Sequence, residues 1–221
     1  MTAVEVKNLF LEEKLVAICR TLPTEKLGNV AKALVKGGVK ILEITIDQMA
    51  EDPAAVIKEA MQTVRDAVGD QLCLGCGTVL NCNQLQMAVD AGAEFYLSPN
   101  LNVDVVKKAK EIGLCAIPGA LTPTEIVNAW EAGADIVKLF PADDMGYHYI
   151  WNLKGPLPHI PLLASGGVNP ETIPVYLEYG VAAVGTGVSI INRDMLAEND
   201  FEGIAELARR HVEAIRNFKR N

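Results

Sequence analysis

The sequence predicts a single α/β domain of the (β/α)8 TIM-barrel type, with an extra helix at its N-terminus. Short apolar segments of the kind that form buried strands alternate eight times with amphipathic segments along 221 residues. Apolar strands that alternate with helices favour a parallel sheet covered on both faces, and eight such units in about 200 residues suit a compact barrel. We see no linker, low-complexity run or change of composition, so we expect residues 1–221 to form one domain. A doubly wound open sheet is the alternative, but it more often has fewer strands and one glycine-rich nucleotide turn.

The first half of the chain supplies an opening helix and four strand–helix units. The opening helix is predicted at 2–14, and the first strand, LVAICR at 15–20, is followed by a helix at 23–38. In that helix apolar residues recur at helical spacing until a pair of glycines ends it. The next three units are strands and helices at 40–46 and 53–69, 72–78 and 81–92, and 94–99 and 102–113.

The second half continues the alternation. The fifth unit is predicted at 114–120 and 122–133, and the sixth strand, DIVKLFP at 135–141, leads into a less regular segment that ends near residue 157. The last elements are a strand and helix at 161–167 and 169–180, an eighth strand at 181–187 and a closing amphipathic helix at 201–218. Several helices begin at Pro after Asp or Thr, or at Asn, and end at Gly, which are the expected boundary residues.

Two strands carry an ionisable residue among apolar neighbours. Alternation along 135–141 places Lys138 on the face opposite to Val137 and Leu139, and alternation along 40–46 places Glu43 on the face opposite to Leu42 and Ile44. The apolar pairs suit packing against helices, so we expect Lys138 and Glu43 to point into the barrel. The active sites of such barrels lie at the carboxyl ends of the strands.

Lys138 and Glu43 permit two interpretations. They are either a buried structural ion pair, which rarely adds stability, or a catalytic pair. In the catalytic interpretation the apolar surroundings lower the pKa of Lys138, so that its neutral amine attacks a ketone and forms a Schiff base. A protonated imine accepts the electrons of a breaking C–C bond, and Glu43 is placed to move protons directly or through water.

Glycines end the seventh and eighth strands, as Ser165-Gly166-Gly167 and Gly185-Thr186-Gly187. Tight turns at the barrel corners would account for these glycines. The loops after these two strands also commonly bind phosphate in this fold, through exposed backbone N–H groups. Their position favours an anion site.

The composition limits the classes of partner. The formal net charge of −8 argues against nucleic acid, and no apolar run approaches the roughly 20 residues of a membrane helix. The acidic, amphipathic N-terminal segment does not resemble a signal peptide, so we expect a cytoplasmic protein. Five cysteines, an odd number, favour free thiols. Cys73 and Cys76 have a Cys-x-x-Cys spacing, but they lie in a strand and no second pair follows, which favours structural thiols over a metal site.

Six segments together resemble the 2-keto-3-deoxy-6-phosphogluconate aldolase family, whose members often also cleave 4-hydroxy-2-oxoglutarate. Each segment alone is a weak match, but six in order at barrel-unit spacing are specific, and the likeness covers nearly the whole chain. The segments are LEIT (42–45), GCGTVL (75–80), YLSPN (96–100), IPGALTPTE (117–125), VKLFPA (137–142) and ASGGV (164–168).

The resemblance implies a metal-independent class I aldolase, a lyase that needs no cofactor and forms a homotrimer. By resemblance, Lys138 forms the imine with pyruvate or the keto acid, and Glu43 moves protons. The implied substrate contacts are Thr78 at the pyruvate carboxylate, Pro99 and Phe140 along the pocket, Gly166 and Gly167 at a phosphate, and Arg20 at the end of the first strand, where many members have arginine.

Two departures from the family pattern affect substrate binding. Members usually have arginine four residues after the catalytic glutamate, where it helps to bind the carboxylate, but this chain has Asp47. An acid there repels a carboxylate unless Asp47 turns to solvent or Arg20 replaces the arginine. Members also often end the eighth strand with Gly-Gly-Ser, whose serine touches phosphate, and here Thr186 or Ser189 is expected to take that place.

The expected function is therefore reversible cleavage of a 2-keto-4-hydroxy acid to pyruvate and an aldehyde. The expected substrate is 2-keto-3-deoxy-6-phosphogluconate, 4-hydroxy-2-oxoglutarate or both, and a related keto-deoxy sugar acid of the phosphogalactonate type is an alternative. A phosphosugar isomerase needs a second acid or base at another strand end, and none is evident. Metal-dependent aldol chemistry needs a ligand set, and the three histidines are scattered. A non-catalytic sugar-acid-binding barrel, which Asp47 favours, would not need a costly interior amine.

Overall fold

The computed structural model of the chain describes residues 1–218. Within these residues, nine short strands form one parallel sheet, and ten helices surround it. The strands are β1 (Leu15–Cys19), β2 (Ile41–Thr45), β3 (Cys73–Gly77), β4 (Phe95–Leu97), β5 (Cys115–Ile117), β6 (Gly119–Ala120), β7 (Val137–Leu139), β8 (Leu162–Ser165) and β9 (Ala183–Thr186).

The helices follow the strands in the predicted order, with short additions. They are α1 (Ala3–Glu13), α2 (Thr24–Lys36), α3 (Pro53–Val68), α4 (Cys82–Asp90), α5 (Val103–Glu111), α6 (Pro123–Glu131), α7 (Tyr147–Lys154), α8 (Ile173–Glu178), α9 (Arg193–Ala197) and α10 (Phe201–Arg216). The segment predicted to be irregular before residue 157 contains α7, and α9 was not predicted. Helix α8 is shorter than the predicted 169–180.

The sheet closes into a barrel with eight strand positions, one of which is shared by β5 and β6. The strand order is β5-β4-β3-β2-β1-β9-β8-β7-β6, and β1 pairs with both β2 and β9. The predicted fifth strand, 114–120, is divided at Pro118 into β5, which pairs with β4, and β6, which pairs with β7. Proline has no N–H to donate, so it interrupts the ladder. The backbone continues through Pro118, whose carbonyl accepts a hydrogen bond from the Lys138 N–H at 2.8 Å.

Side chains divide between the barrel interior and the layer under the helices. One buried cluster joins inward residues of the strands, including Ile41 and Ile136, to Val6 and Phe10 of α1. The other contains outward residues, including Leu42 and Val137, and the helix faces that pack on them. The alternation predicted from the sequence is therefore confirmed for β2 and β7.

Helix α1 closes the N-terminal end of the barrel. Its capping box is complete, since the Thr2 hydroxyl accepts from the Glu5 N–H and the Glu5 carboxylate accepts from the Thr2 N–H. Phe10 packs edge to face on Phe95 of β4, with ring centroids 5.0 Å apart. An amphipathic helix at this end leaves the carboxyl ends of the strands as the open mouth of the barrel.

Candidate active site

Lys138 and Glu43 both lie inside the barrel, as the alternation predicts. Lys138, on β7, is 5% exposed, and Glu43, on β2, is 2% exposed. Because β2 and β7 are four strand positions apart in a barrel of eight, the two side chains project from opposite sides of one interior. A small molecule bound between them would meet an amine on one side and a carboxyl group on the other.

The surroundings of Lys138 favour its neutral form. Burial lowers the pKa of the Lys138 ammonium from its ordinary value of 10.5; the Glu43 charge opposes this shift, and the nearby Arg20 guanidinium adds to it. The Lys138 Nζ lies 4.7 Å from the centre of the Phe140 ring. Among the described residues, no hydrogen bond or ion pair neutralises this amine. A neutral amine in an apolar interior is a nucleophile toward carbonyl carbon.

The surroundings of Glu43 favour a protonated carboxyl group. Burial raises the pKa of Glu43 above 4.5, while the charge of Lys138, a hydrogen bond from Thr45 and the charge of Arg20 oppose that rise. The Thr45 hydroxyl donates to Glu43 Oε1 at 2.7 Å, which fixes one oxygen of the carboxyl group. Its other face lies on Gly77 of β3, where a Cβ would overlap the carboxyl group. Glu43 is thus held in place and able to donate or accept a proton at a raised pKa.

Lys138 and Glu43 are not a structural salt bridge. Each shifts the pKa of the other through space, but among the described residues no ion pair joins them. Two buried ionisable groups that do not neutralise each other cost stability. This cost favours the catalytic interpretation over the structural one.

Thr78 and Pro99 lie at the mouth, at the ends of neighbouring strands. Thr78 directly follows β3 and has a left-handed backbone, with φ of +57°, which is uncommon for a β-branched residue. Its carbonyl accepts a hydrogen bond from the Gln48 side-chain amide at 3.0 Å, and Gln84 donates to the Gln48 carbonyl at 2.6 Å. Pro99 follows β4, and its backbone packs against Gly119, where there is no room for a Cβ.

A cavity of about 430 Å³ opens at the mouth beside β1, β8 and β9. Six of the residues predicted to bind substrate line it: Arg20, Phe140, Gly166, Gly167, Thr186 and its alternative Ser189. Lys138, Glu43, Thr78 and Pro99 are not among its lining residues, and Phe140 connects the two groups because its ring contacts Lys138. The cavity therefore adjoins the interior amine on the side of the glycine loops.

The backbone conformation and the close approach of a side chain both require glycine at the two paired positions. Gly166 and Gly167 have φ of +118° and +60°, and a Cβ on either would meet the side chain of Asp143. The tight-turn explanation is thus sufficient for these two residues, and an anion site formed by them stays a prediction. Their place in the wall of the cavity is compatible with it.

The cavity wall also contains two residues that were not predicted from the sequence, Asn169 and Arg193. Asn169 follows β8, and Arg193 is the first residue of α9, in the loop after β9. Their position in loops that follow barrel strands was the available signal. Arg193 is exposed, and together with Arg20 it gives the cavity two guanidinium groups.

Asp47 takes no part in this cavity. Its carboxylate accepts a hydrogen bond from the Met49 N–H at 2.9 Å, so it stabilises its own loop. It lines a separate cavity of about 70 Å³ with residues of β1 and α3, including Cys19 and Ile57. The expected repulsion of a substrate carboxylate by Asp47 stays a prediction.

The cysteines of the strands are buried free thiols. All five cysteines are free thiols, and four of them are buried. Cys73 belongs to the interior cluster and Cys76 to the outer one, so the two point to opposite faces of β3 and cannot share one ligand. Burial raises the pKa of Cys73 to about 12, which keeps it protonated.

The chain matches one family model over most of its length. The model, described as KDPG and KHG aldolase, matches residues 6–207. KDPG and KHG are 2-keto-3-deoxy-6-phosphogluconate and 4-hydroxy-2-oxoglutarate, the two substrates expected from the sequence.

Relatives and solved structures agree with this match. A 2-dehydro-3-deoxy-6-phosphogalactonate aldolase of Escherichia coli K12 is 31% identical over 203 residues, which are 91% of this chain and 96% of that protein. A KHG/KDPG aldolase of the same organism is 34% identical over 186 residues, 83% of this chain and 84% of that protein. A solved structure described as native KDPGal has a TM-score of 0.81 at 30% identity and covers 91% of this chain and 94% of that one.

Proposed function

The chain belongs to the KDPG and KHG aldolase family, and from this premise we propose that it is a class I aldolase whose Schiff base forms at Lys138. The proposed reaction is reversible cleavage of a 2-keto-4-hydroxy acid to pyruvate and an aldehyde. The substrates are 2-keto-3-deoxy-6-phosphogluconate, which yields glyceraldehyde 3-phosphate, and 4-hydroxy-2-oxoglutarate, which yields glyoxylate. One observation carries the proposal, namely the amine of Lys138 buried in the barrel without an ion-pair partner among the described residues.

The amine begins the reaction. The neutral Nζ of Lys138 attacks the C2 carbonyl and gives a carbinolamine, which loses water to give a protonated imine. The leaving hydroxyl needs a proton, and Glu43 is suited to supply it because burial keeps its pKa raised. The charged imine nitrogen then stands where Lys138 stood, opposite the Glu43 carboxylate that this proton transfer leaves.

Cleavage uses the imine as an electron sink. Glu43, directly or through water, removes the proton of the C4 hydroxyl, the C3–C4 bond breaks, and its electron pair forms the enamine. The aldehyde leaves, and the enamine takes a proton at C3 to become the imine of pyruvate. Water then releases pyruvate and regenerates the Lys138 amine. The reaction as proposed needs no cofactor.

Binding residues complete the proposal. Thr78 is assigned to the carboxylate of the pyruvate portion, and Pro99 and Phe140 to the walls around its carbons. Gly166, Gly167 and Thr186 are assigned to the phosphate, with Arg20 beside them. Two guanidinium groups in a cavity of about 430 Å³ support an anionic end of the substrate there.

A second candidate substrate is 2-keto-3-deoxy-6-phosphogalactonate, which differs from the gluconate compound in configuration at C4. The similarity to the phosphogalactonate aldolase of E. coli over 96% of that protein supports it. Separate turnover rates for the two pure epimers would decide between them.

The proposal also covers the assembly and location. The whole chain, 1–221, is proposed as one domain that forms a cytoplasmic homotrimer, without nucleic-acid or membrane partners. Exposed apolar side chains such as Trp151, which is 63% exposed, support a subunit interface. Free thiols suit a reducing compartment. Within residues 1–218 no helix has the length and hydropathy to cross a bilayer. Sedimentation equilibrium measures the mass of the assembly.

The decisive experiment traps the imine. The protein is incubated with pyruvate and reduced with borohydride, and peptide mass spectrometry locates the reduced pyruvyl group. We expect one adduct per chain, on Lys138, and none in Lys138→Ala. Lys107→Ala, which removes an exposed lysine of α5, is the matched control and should be labelled like the wild type. An unlabelled wild type, or a label on another lysine, contradicts the proposal.

A further inference from the structure

A buried histidine on the closing helix contacts the loop that follows β9. His211 of α10 is 0% exposed, and its Nε2 lies 3.0 Å from Ser189 Oγ. Its Nδ1 lies 2.7 Å from the carbonyl oxygen of Leu207. A carbonyl only accepts hydrogen bonds, so Nδ1 carries a proton, and Nε2 is the nitrogen that gains or loses one.

Ser189 belongs to a chain of hydroxyl groups in the cavity wall. Its Oγ lies 2.5 Å from Thr186 Oγ1, and both hydroxyls lie within reach of the Val168 carbonyl, at 2.6 Å for Ser189 and 2.9 Å for Thr186. Thr186, Ser189 and Val168 all line the cavity that holds Arg20 and Arg193. A titratable group outside the cavity is therefore connected to its wall through one hydroxyl.

With neutral His211, both hydroxyl protons are used within the wall. The bare Nε2 accepts the proton of Ser189, so Ser189 has none left for the Val168 carbonyl. That buried carbonyl is then satisfied by the Thr186 hydroxyl, since an unsatisfied buried acceptor is costly. Thr186 consequently has no proton to offer to an anion in the cavity.

When His211 is protonated, the hydrogen bond between His211 and Ser189 reverses its direction. The Nε2–H donates to Ser189 Oγ, and Ser189 donates its own proton to the Val168 carbonyl. The Thr186 proton is no longer needed at the Val168 carbonyl. It is held only by Ser189 Oγ, 2.5 Å away, and can turn to an anion in the cavity without leaving that carbonyl unsatisfied. The wall gains one donor at the place where an anion would lie, and a hydrogen bond to a charged group is stronger than a neutral one.

We infer that His211 controls how strongly the cavity binds a doubly charged anion, because protonation at its Nε2 turns Ser189 toward Val168 and frees Thr186 to donate to the anion. The inference rests on the proposed function, in which the anion is the phosphate of the substrate. By reciprocity, binding of the anion also favours protonation of His211. His211 is thus a positioning residue that acts through Ser189, and it does not touch the substrate.

The groups around His211 act on its pKa in both directions. Burial lowers the pKa of His211 and the charge of Arg210 lowers it further, whereas the hydrogen bond to Leu207 and the charge of Glu171 raise it. Glu171, just ahead of α8, and Arg210 pair with each other at 3.0 Å. Helix α10 also packs on α2 and α9, but these add no charged group to those that shift the pKa of His211.

The test uses sulfate, which remains a dianion over the whole pH range. Any pH dependence of its binding therefore comes from protonation of the protein. Sulfate affinity is measured between about pH 5 and 8, and His211 is titrated by NMR with and without sulfate. We expect sulfate to raise the pKa of His211, and the affinity to fall by up to about tenfold per pH unit between the pKa of the free protein and the higher pKa of the sulfate-bound protein. Thr186→Val should bind sulfate roughly tenfold more weakly at low pH and lose most of the pH dependence.

Variants separate the relay from a general effect of charge. His211→Gln presents a donor that does not titrate, so its sulfate affinity should not change with pH, whereas the control His148→Gln, on the surface of α7, should behave like the wild type. A pH dependence that persists in His211→Gln, or a His211 whose pKa ignores sulfate, overturns the inference. If His211→Gln does not fold, Ser189→Ala decides, because it keeps the histidine and removes the link. A His211 pKa that still rises with sulfate in Ser189→Ala also overturns the relay.

Failure of this inference is distinguishable from failure of the proposed function. Imine trapping with pyruvate needs no phosphate and tests Lys138 alone. A protein that traps pyruvate but shows no coupling of sulfate to His211 keeps its aldolase assignment and refutes the relay. A protein that couples sulfate to His211 but traps no pyruvate keeps the anion site and refutes the aldolase.

Discussion

At the scale of single residues, burial shifts the pKa values of the two interior groups in opposite directions. The desolvated ammonium of Lys138 loses its proton more readily, and the desolvated carboxyl group of Glu43 retains its proton more firmly. Both shifts favour the uncharged forms, a neutral amine and a neutral acid, and these are the forms that amine attack and loss of water from a carbinolamine require. Burial therefore shifts both groups toward the state that the first step requires.

Glu43→Gln should separate imine formation from proton transfer. We expect the rate of hydrogen–deuterium exchange at the pyruvate methyl group, followed by NMR in D2O, to fall by about 10²- to 10⁴-fold. Borohydride trapping at Lys138 should still reach one adduct per chain, because the amine remains, but it should be slower, because Glu43 no longer supplies the proton for the leaving hydroxyl. Glu59→Gln, an exposed position of α3, is the matched control and should exchange at the wild-type rate. Undiminished exchange in Glu43→Gln would remove Glu43 from the mechanism.

Gln48→Leu tests whether the left-handed backbone of Thr78 is held for substrate binding. The Gln48 amide donates to the Thr78 carbonyl at 3.0 Å, and a left-handed β-branched residue costs on the order of 1–3 kcal/mol that its surroundings must offset. We expect KM for the keto acid to rise roughly tenfold with a smaller change in kcat, since a carboxylate contact acts mainly on binding. Gln62→Leu, an exposed position of α3, should leave both constants unchanged. An unchanged KM in Gln48→Leu refutes the assignment.

At the scale of elements, β3 is shaped to make room for its neighbours. Its inward positions after Cys73 are Gly75 and Gly77, and a Cβ on the first would overlap the Phe95 ring, while one on the second would overlap the Glu43 carboxyl group. A strand normally loses stability from glycine. Here the two glycines form a recess in the barrel wall that receives a core aromatic ring and the acid.

Gly77→Ala should displace Glu43 and so reduce activity more than stability. We expect kcat to fall about 100-fold, because a shift of about 1 Å at a catalytic group has that order of effect. Turnover and urea unfolding are measured on the same preparation. Gly155→Ala, where a Cβ makes only ordinary contacts, should keep the wild-type kcat. Wild-type activity in Gly77→Ala would show that the position of Glu43 is not critical.

The periodicity of the elements predicts the barrel, but not the contacts between distant elements. Alternation along β2 and β7 correctly predicts that Glu43 and Lys138 point inward. A barrel strand has only two faces, one toward the interior and one toward the helices, and successive side chains alternate between them. The recess at Gly77 depends on a side chain from another strand. The His211–Ser189 contact joins residues of α10 and the loop after β9, and no local pattern indicates such a meeting. The fifth strand is divided because Pro118 cannot donate a hydrogen bond. The alternation of apolar residues does not indicate this effect on strand pairing.

At the scale of the whole molecule, the proposed active site costs folding free energy. The barrel interior that holds Lys138 and Glu43 is otherwise filled by apolar side chains from the strands and α1. Replacing buried charges with well-packed neutral groups is often neutral or stabilising by about 1–4 kcal/mol, whereas removing one partner leaves the other uncompensated. A protein that retains both groups has a less stable barrel than it could have, and it retains them because its proposed chemistry requires both.

The double variant Glu43→Gln with Lys138→Met should therefore be inactive and more stable, by about 1–4 kcal/mol in urea unfolding at neutral pH. The raised pKa of Glu43 makes wild-type stability fall as pH rises above 4.5, and the lowered pKa of Lys138 makes it fall as pH drops below 10.5. Both penalties are present together near neutral pH, so the gain should be largest there and shrink toward pH 4.5 and pH 10.5. As a control, the exposed pair Lys36–Glu202, whose charged atoms lie 2.6 Å apart, is replaced by Met and Gln and should change stability by less than about 1 kcal/mol. A double variant that is less stable than the wild type at neutral pH would mean that the interior pair stabilises the barrel, and the catalytic explanation of its burial would lose its energetic support.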